Sequence, residues 1–549
     1  MEIGGSTLQT QVMDHHGLVA AVCSDLGIAT RIDNRLNIKR DPRRIVSAGT
    51  AAVALILNGL GFTNRRLYLT PQFFESKPVQ ELLGADINAA QLDDHALGKA
   101  LDEIAEYGVS QLFGEVAFEI ALENNLLGKL AHLDSTSLSV DGEYEKEEGI
   151  EVIKLTYGHS KDHRPDLKQA MMSLVVTGKS SMPVWMEPQS GNSSDKTSFP
   201  ETIEKIRAFQ AQLKECPEFK WVADSALYTK DKLLKQNDYL WLSRVPETIK
   251  EARMLVEEPE NSIEWIACEK GYKIAPYSSN YGDIEQRWLL IYSAKAYERE
   301  KATFEKKLNK EDEALKKALW HLGNEIFSCE KDAEKKAKQV IKKFPYHRVD
   351  FQIEPVLKHK TVGRPKLGNE GEVTGYHVIS QMEHDNKKIE IHLNRKGRFI
   401  LATNDLNKES FPDQQMLEEY KEQQSVEQGF RFLKDPWFMV DSIFLKSAKR
   451  IEALMMIMAL CLMIYNLAQY RLREALKAKN ETLPNQINKP IQNPTLRWIF
   501  QIMEGVSIVK FYEDTSHVPI KVIIANLNDL RIKIIKLFGE SAQKIYGII

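Results

Sequence analysis

Leu130-Ala-His-Leu-Asp-Ser-Thr-Ser-Leu-Ser-Val140 sets one acid into a run of apolar and hydroxyl side chains, the composition of a short strand. Two more strand-like runs follow at 151–157 and 170–177, the second rich in Val, Leu and Met. Pro200 opens a helical stretch to 213. Residues 219–223 read as a strand ending at Asp224, 229–236 as a helix and 239–243 as another strand. Three strands followed by alternating helix and strand predict an α/β domain with a mixed sheet.

Upstream, residues 1–125 carry apolar residues at three- and four-residue spacings, which predicts helices. A basic cluster, Arg35, Lys39, Arg40, Arg43 and Arg44, lies there, with Pro42 marking a turn or helix start. Downstream, 246–397 is irregular. It holds a strand at 288–293, a long charged helical stretch at 294–343, and strand-like segments at 373–380 and 388–393. Residues 398–403 return to a strand, 413–433 form a helix and 447–476 a longer one. The Asn- and Pro-rich segment 480–494 reads as a linker or loop. The expected division is a helical N-terminal domain (1–125), a core in two parts (126–245 and 398–478), an inserted α+β subdomain (246–397) and a C-terminal region (479–549).

The 549-residue chain is 43% hydrophobic and 28% charged, a globular composition. Its net charge of -3 excludes a uniformly basic nucleic-acid binder. The charge is uneven, however: eight Arg or Lys stand against two Asp between Arg31 and Arg66. Such patches either hold a phosphate backbone or are plain solvated helix faces. Five scattered cysteines without a C-x-x-C pair predict neither a zinc site nor disulfides, and fit a reducing cytoplasm. No secretory pattern opens the chain. The longest apolar run, 453–464, is too short to span a bilayer and suits a buried helix, so no membrane partner is expected.

Asp134 and Asp224 both fall at strand positions where α/β sheets gather their sites. A third acid, Glu427, lies in Tyr420-Lys-Glu-Gln-Gln-Ser-Val-Glu-Gln-Gly-Phe-Arg-Phe-Leu-Lys434. At about 100° per residue, Tyr420, Gln423, Glu427, Arg431 and Lys434 share one helix stripe. A carboxylate flanked by a phenol, an amide, a guanidinium and an ammonium suits a metal ligand among phosphate-binding groups. An acid triple alone decides nothing among 77 acidic residues; its surroundings do.

Here the sequence resembles the bacterial DDE insertion-sequence transposases of the Y-x2-R-x3-E-x6-K branch. Tyr420, Glu427 and Lys434 match that spacing, and Gln423 stands where the family has arginine. Arg431, one turn past the glutamate, is a candidate to replace the lost charge. The segments 132–139, 157–169, 222–228 and 400–405 carry the resemblance further, over about 130–470. It implies a ribonuclease-H-like mixed sheet flanked by helices, with Asp134, Asp224 and Glu427 holding two Mg²⁺ or Mn²⁺ ions. Phosphodiester transfer needs such ions to stabilise the attacking and leaving oxygens. It also implies DNA partners (transposon ends and target), a homodimer on DNA, and a bacterial cytoplasmic, nucleoid-associated protein. Tyr420, Gln423, Arg431 and Lys434, with the Arg35–Arg44 cluster, are the expected DNA contacts. A transposase-derived protein that only binds DNA, or a two-metal nuclease, are the competing readings.

Other features receive plainer readings. His15, His16, His159 and His163 are expected at the surface or in hydrogen bonds, and no dense His cluster is visible. The segment 363–366, Gly-Arg-Pro-Lys, resembles half an AT-hook but reads better as a basic turn. Trp265 and Trp288 are expected to pack in a small core rather than stack on a flipped base.

Overall fold

The structure is a computed structural model. It describes residues 6–549 apart from 38–43, 63–68, 85, 141–143, 145–151, 215, 230–232, 234–237, 359–371, 436–446 and 514–518. Lys39, Arg40, Arg43, the segment 363–366 and most of the expected helix 229–236 lie outside the described residues. The chain forms two compact units, one of residues 1–241 with 418–549, the other of 242–417.

The first unit is built on four strands. β2 (Leu130–Val140), β3 (Lys168–Thr177) and β4 (Met182–Ser190) run antiparallel in the order β4-β3-β2, and β5 (Lys220–Ala223) joins β2 in parallel. The sheet is therefore mixed, and helices cover it. The helices Val109–Glu123 and Ala448–Ala478 pack on β4, and Gln424–Leu433 packs on β2 and β3. This explains why β3 is buried along nearly its whole length instead of alternating. Gly114 makes the fit on β4 possible, because a Cβ there would lie 2.6 Å from the Trp185 ring. The helix Ala448–Ala478 is long and apolar enough to cross a membrane, but 83% of its apolar window is buried inside the protein. It is a core helix. A further strand, β1 (Ser6–Val12), pairs antiparallel with Ser507–Glu513, which pairs in turn with Lys521–Ala525.

In the second unit, β6 (Trp241–Arg244), β7 (Ile266–Ala267), β8 (Tyr272–Ser279), β9 (Gln286–Ser293) and β12 (Arg398–Thr403) lie antiparallel in the order β6-β12-β9-β8-β7. Between β9 and β12 come the helices Ala294–Asn324 and Glu330–Ile341 and a two-stranded ribbon, β10 (His347–Lys358) with β11 (Glu372–His384).

Several expectations need correction. Among the described residues, 152–157 make one isolated bridge, Thr156 to Gln169, and no strand. The third strand of the core is β4. The helix expected from Pro200 begins at Asp195 and carries Pro200 inside it. The stretch 294–343 is two helices, not one. Residues 388–393 belong to the helix Asn386–Asn394, started by the Asp385 carboxylate accepting from the Lys388 N–H. The helix 413–433 breaks at Gln423 into Asp413–Glu422 and Gln424–Leu433.

Candidate active site

The parallel register of β2 and β5 organises the site. Leu130 pairs with Lys220, Ala131 with Trp221 and His132 with Val222. Two residues further along come Asp134, still inside β2, and Asp224, just past the end of β5, so the two acids stand side by side. Adjacent strands lie about 4.8 Å apart. Asp134 Oδ1 accepts from the Ser135 N–H at 2.7 Å, and Asp224 Oδ1 from the Ala226 N–H at 2.8 Å. The second contact turns the chain sharply after β5, as an aspartate does at a strand end.

Burial pushes the Asp134 carboxyl up to about 6. The Lys161 ammonium and the Ser135 N–H pull it back down, and the charges of Asp224 and Asp195 push it further up. Lys161 Nζ stands 3.7 Å from Asp134 Oδ1, 3.1 Å from Asp195 Oδ2, and 2.7 Å from the Ser135 carbonyl oxygen to which it donates. Asp195, at the start of its helix, also accepts from the Ser135 hydroxyl. Lys161 and Asp195 are thus members of the site that the strand pattern did not single out. The segment 157–169, which carried the family resemblance, was the signal available for Lys161. Asp195 had none.

A raised carboxyl has a stability consequence. Between about pH 4 and 6 the folded chain binds the Asp134 proton more tightly than the unfolded chain, so metal-free stability falls as pH rises through that window. Asp134→Asn removes the effect. In chelator at pH 7.5 it should stabilise the chain by about 2 kcal/mol, and the gain should shrink as pH is lowered toward 4.5. Urea unfolding at both pH values checks this; a variant less stable than the parent at pH 7.5 contradicts it.

Glu427 is exposed on the first turn of Gln424–Leu433, the helix that packs on β2 and β3. The structure does not draw its carboxylate into one cluster with the two aspartates. Among the described residues, the group of three His or acid ligands whose donor atoms lie within 4.8 Å of one another is elsewhere, at Asp312, His347 and His384. The helix break modifies the expected stripe. Gln423 is buried, Tyr420 half-buried, and Arg431 exposed beside Glu427. Lys434 Nζ binds Asp162 at 2.6 and 2.7 Å, which ties the Glu427 helix to the loop that carries Lys161. Asp435, just beyond Lys434, pairs with Arg497.

Two residues of the N-terminal basic cluster are described, and both are engaged. Arg35 pairs with Glu115 at 3.1 Å and with Glu119; Arg44 holds Glu103 by two bonds of 2.8 and 2.7 Å. His15 and His16 are buried, and each takes the hydrogen-bonding alternative, to the carbonyl oxygens of Leu60 and Met13. The two rings stack on one another, and burial lowers His15 to about 4. Trp288 is buried as expected; Trp265 is half-buried with the Arg398 guanidinium over its face.

The family described as "Transposase DDE domain" matches residues 129–464, well over half the chain. The chain belongs to the transposase DDE-domain family. In this transposase, residues 8–118 also match "Domain of unknown function (DUF4277)". No curated protein matches the transposase chain. Among solved structures, a piggyBac transposase synaptic complex with hairpin DNA is similar at 9% identity, over 91% of this chain and 83% of that one, with a TM-score of 0.37.

Proposed function

We propose that this transposase serves an insertion sequence: it binds the terminal inverted repeats, cleaves DNA there and joins the 3′-hydroxyl ends to a target. In this reading Asp134, Asp224 and Glu427 hold two divalent ions, Mg²⁺ or Mn²⁺. The observation that carries it is the side-by-side placement of Asp134 and Asp224, with one carboxyl pushed up to about 6. Paired carboxylate oxygens short of positive charge are the donor set that a hard divalent cation takes. When bound, such ions offset the charge that builds on the attacking and leaving oxygens of a phosphodiester. Lys161 contacts Asp134 and Asp195, and Glu427 is the proposed third carboxylate, supplied from its helix.

Tyr420, Arg431 and Lys434 are proposed to position the DNA backbone, Lys434 by exchanging Asp162 for a phosphate, with buried Gln423 acting through them from the helix break. Contact through residues 35–44 requires Arg35 and Arg44 to release their glutamates, or falls to Lys39, Arg40 and Arg43. A homodimer on DNA, the Y-R-E-K branch and a bacterial nucleoid setting complete the proposal.

The test is to incubate the chain with Mg²⁺ and DNA bearing the inverted repeats that bound its gene. Cut and joined ends support the proposal. Binding alone would make it a DNA-binding derivative, and cutting without joining a nuclease. The role of Arg431 is checked separately. Arg431→Ala should weaken terminal-DNA binding and lower the slope of log affinity against log salt by about one. An unchanged slope means that Arg431 does not reach the DNA.

A further inference from the structure

We propose that Asp312, His347 and His384 form a second, separate metal site, for a borderline transition ion of the Zn²⁺ type, that pins the β10–β11 ribbon to the helix Ala294–Asn324. The sequence conceals it, because the three residues are 35 and 37 positions apart. The fold assembles it. His347 and His384 are directly paired across the antiparallel ribbon, and their rings lie 5.4 Å apart. Facing them, the helix buries Leu308, Leu315, Leu319 and Leu322. These positions recur at three- and four-residue spacings, and Asp312 occupies the one place in that stripe where a further leucine belongs.

A carboxylate there sits at the edge of a small apolar core of Leu315, Leu319, Leu322, Phe327 and Val378. Burying it is unfavourable unless positive charge compensates it. Both histidines turn the same ring nitrogen toward it. His347 Nε2 lies 2.6 Å from Asp312 Oδ1, and His384 Nε2 lies 2.9 and 3.1 Å from the two oxygens. The His347 side chain is fully buried and its Nδ1 has no hydrogen-bond partner, whereas the His384 side chain is 40% exposed. The site is thus walled on one side and open to solvent on the other. Two imidazole nitrogens and one carboxylate oxygen with an open position suit Zn²⁺, and water would complete the shell. Mg²⁺ prefers all-oxygen surroundings and competes poorly. A two-stranded ribbon is marginal alone, and a cross-link at its base fixes it to the helix.

The experiment uses the full chain, stripped with chelator and dialysed against Zn²⁺ with Mg²⁺ in excess, followed by metal analysis. The double variant Asp134→Asn/Asp224→Asn is run in parallel, so that failure of this site and failure of the catalytic assignment are distinguishable. One Zn²⁺ per chain should remain in both proteins. His384→Ala should weaken Zn²⁺ binding by at least about tenfold. Asp312→Asn keeps an oxygen that accepts hydrogen bonds. It should therefore fold normally and yet lose the rise in Tm that Zn²⁺ gives the parent chain. Zn²⁺ affinity unchanged by His384→Ala, or no Zn²⁺ kept by the double variant, would overturn the proposal and leave a purely hydrogen-bonded contact.

Discussion

Asp134→Asn and Asp224→Asn should each slow DNA strand cleavage in Mg²⁺ by about a thousandfold or more while terminal DNA remains bound. Stabilisation of transition-state charge by a metal amounts to several kcal/mol, and about 1.4 kcal/mol corresponds to each factor of ten. Asparagine keeps the shape of the side chain and its acceptor oxygen, so the contacts to the Ser135 and Ala226 N–H groups survive. Only the charge is lost. Glu427→Gln should behave alike if its helix delivers the third carboxylate. Single-turnover cleavage with a parallel gel-shift assay separates chemistry from binding. Asp195→Asn is the informative control. Asp195 already accepts from Ser135 and Lys161, and its loss should slow cleavage by only about tenfold. If Asp195→Asn were inactive and Asp134→Asn cut at the normal rate, the ligand assignment would move from β2 to the helix beside it.

Arg287→Met should destabilise the second unit by about 3–5 kcal/mol, the range for breaking a buried ion pair from one side. Arg287 is buried on β9. It donates to the carbonyl oxygens of Asp405 and Phe411 at 3.1 and 2.9 Å and pairs with Asp413. It therefore closes the turn between β12 and the helix Asp413–Glu422. Methionine fills the space but strands two carbonyls and a carboxylate. Lys338→Met, at an exposed pair with Glu334, should leave stability nearly unchanged. Urea unfolding of both variants checks the contrast; equal effects would mean that the turn is held by something else.

The parts of the fold legible in the sequence were those whose pattern is local. β2, β5 and β12 stood out because apolar runs end at acids or turns, and the core helix Ala448–Ala478 because it carries the apolar run 453–464. β4 carries Pro183 and Pro188, which argue against a strand from the sequence alone and are tolerated because the strand lies at the end of its order in the sheet. Ile389, Ile391 and Leu393 alternate as in a strand, and the cap at Asp385 overrides that period. Helix Asp195–Gln210 was misread at its start because proline commonly opens a helix, whereas Pro200 is its sixth residue and lies inside it. The pairing of Arg44 and Arg35 with Glu103, Glu115 and Glu119 was not legible, because those glutamates are 59 or more residues away. Asp134 and Asp224 stood out as candidates because each lies in or directly after a strand-like run. Lys161, Asp195 and the Asp312 cluster were missed because long-range pairing makes them.

The claim that Asp134 and Asp224 are metal ligands is tested most directly by changing the donor atom and the ion together. Asp134→Cys and Asp224→Cys replace a hard oxygen with a thiolate, which Mg²⁺ binds poorly and softer Mn²⁺ accepts better. Cleavage by both variants should be lost in Mg²⁺ and return by at least about tenfold in Mn²⁺, beyond any Mn²⁺ gain of the parent chain. Variants that fold and bind DNA but stay equally inactive in both ions, or that cut normally in Mg²⁺, would contradict the account.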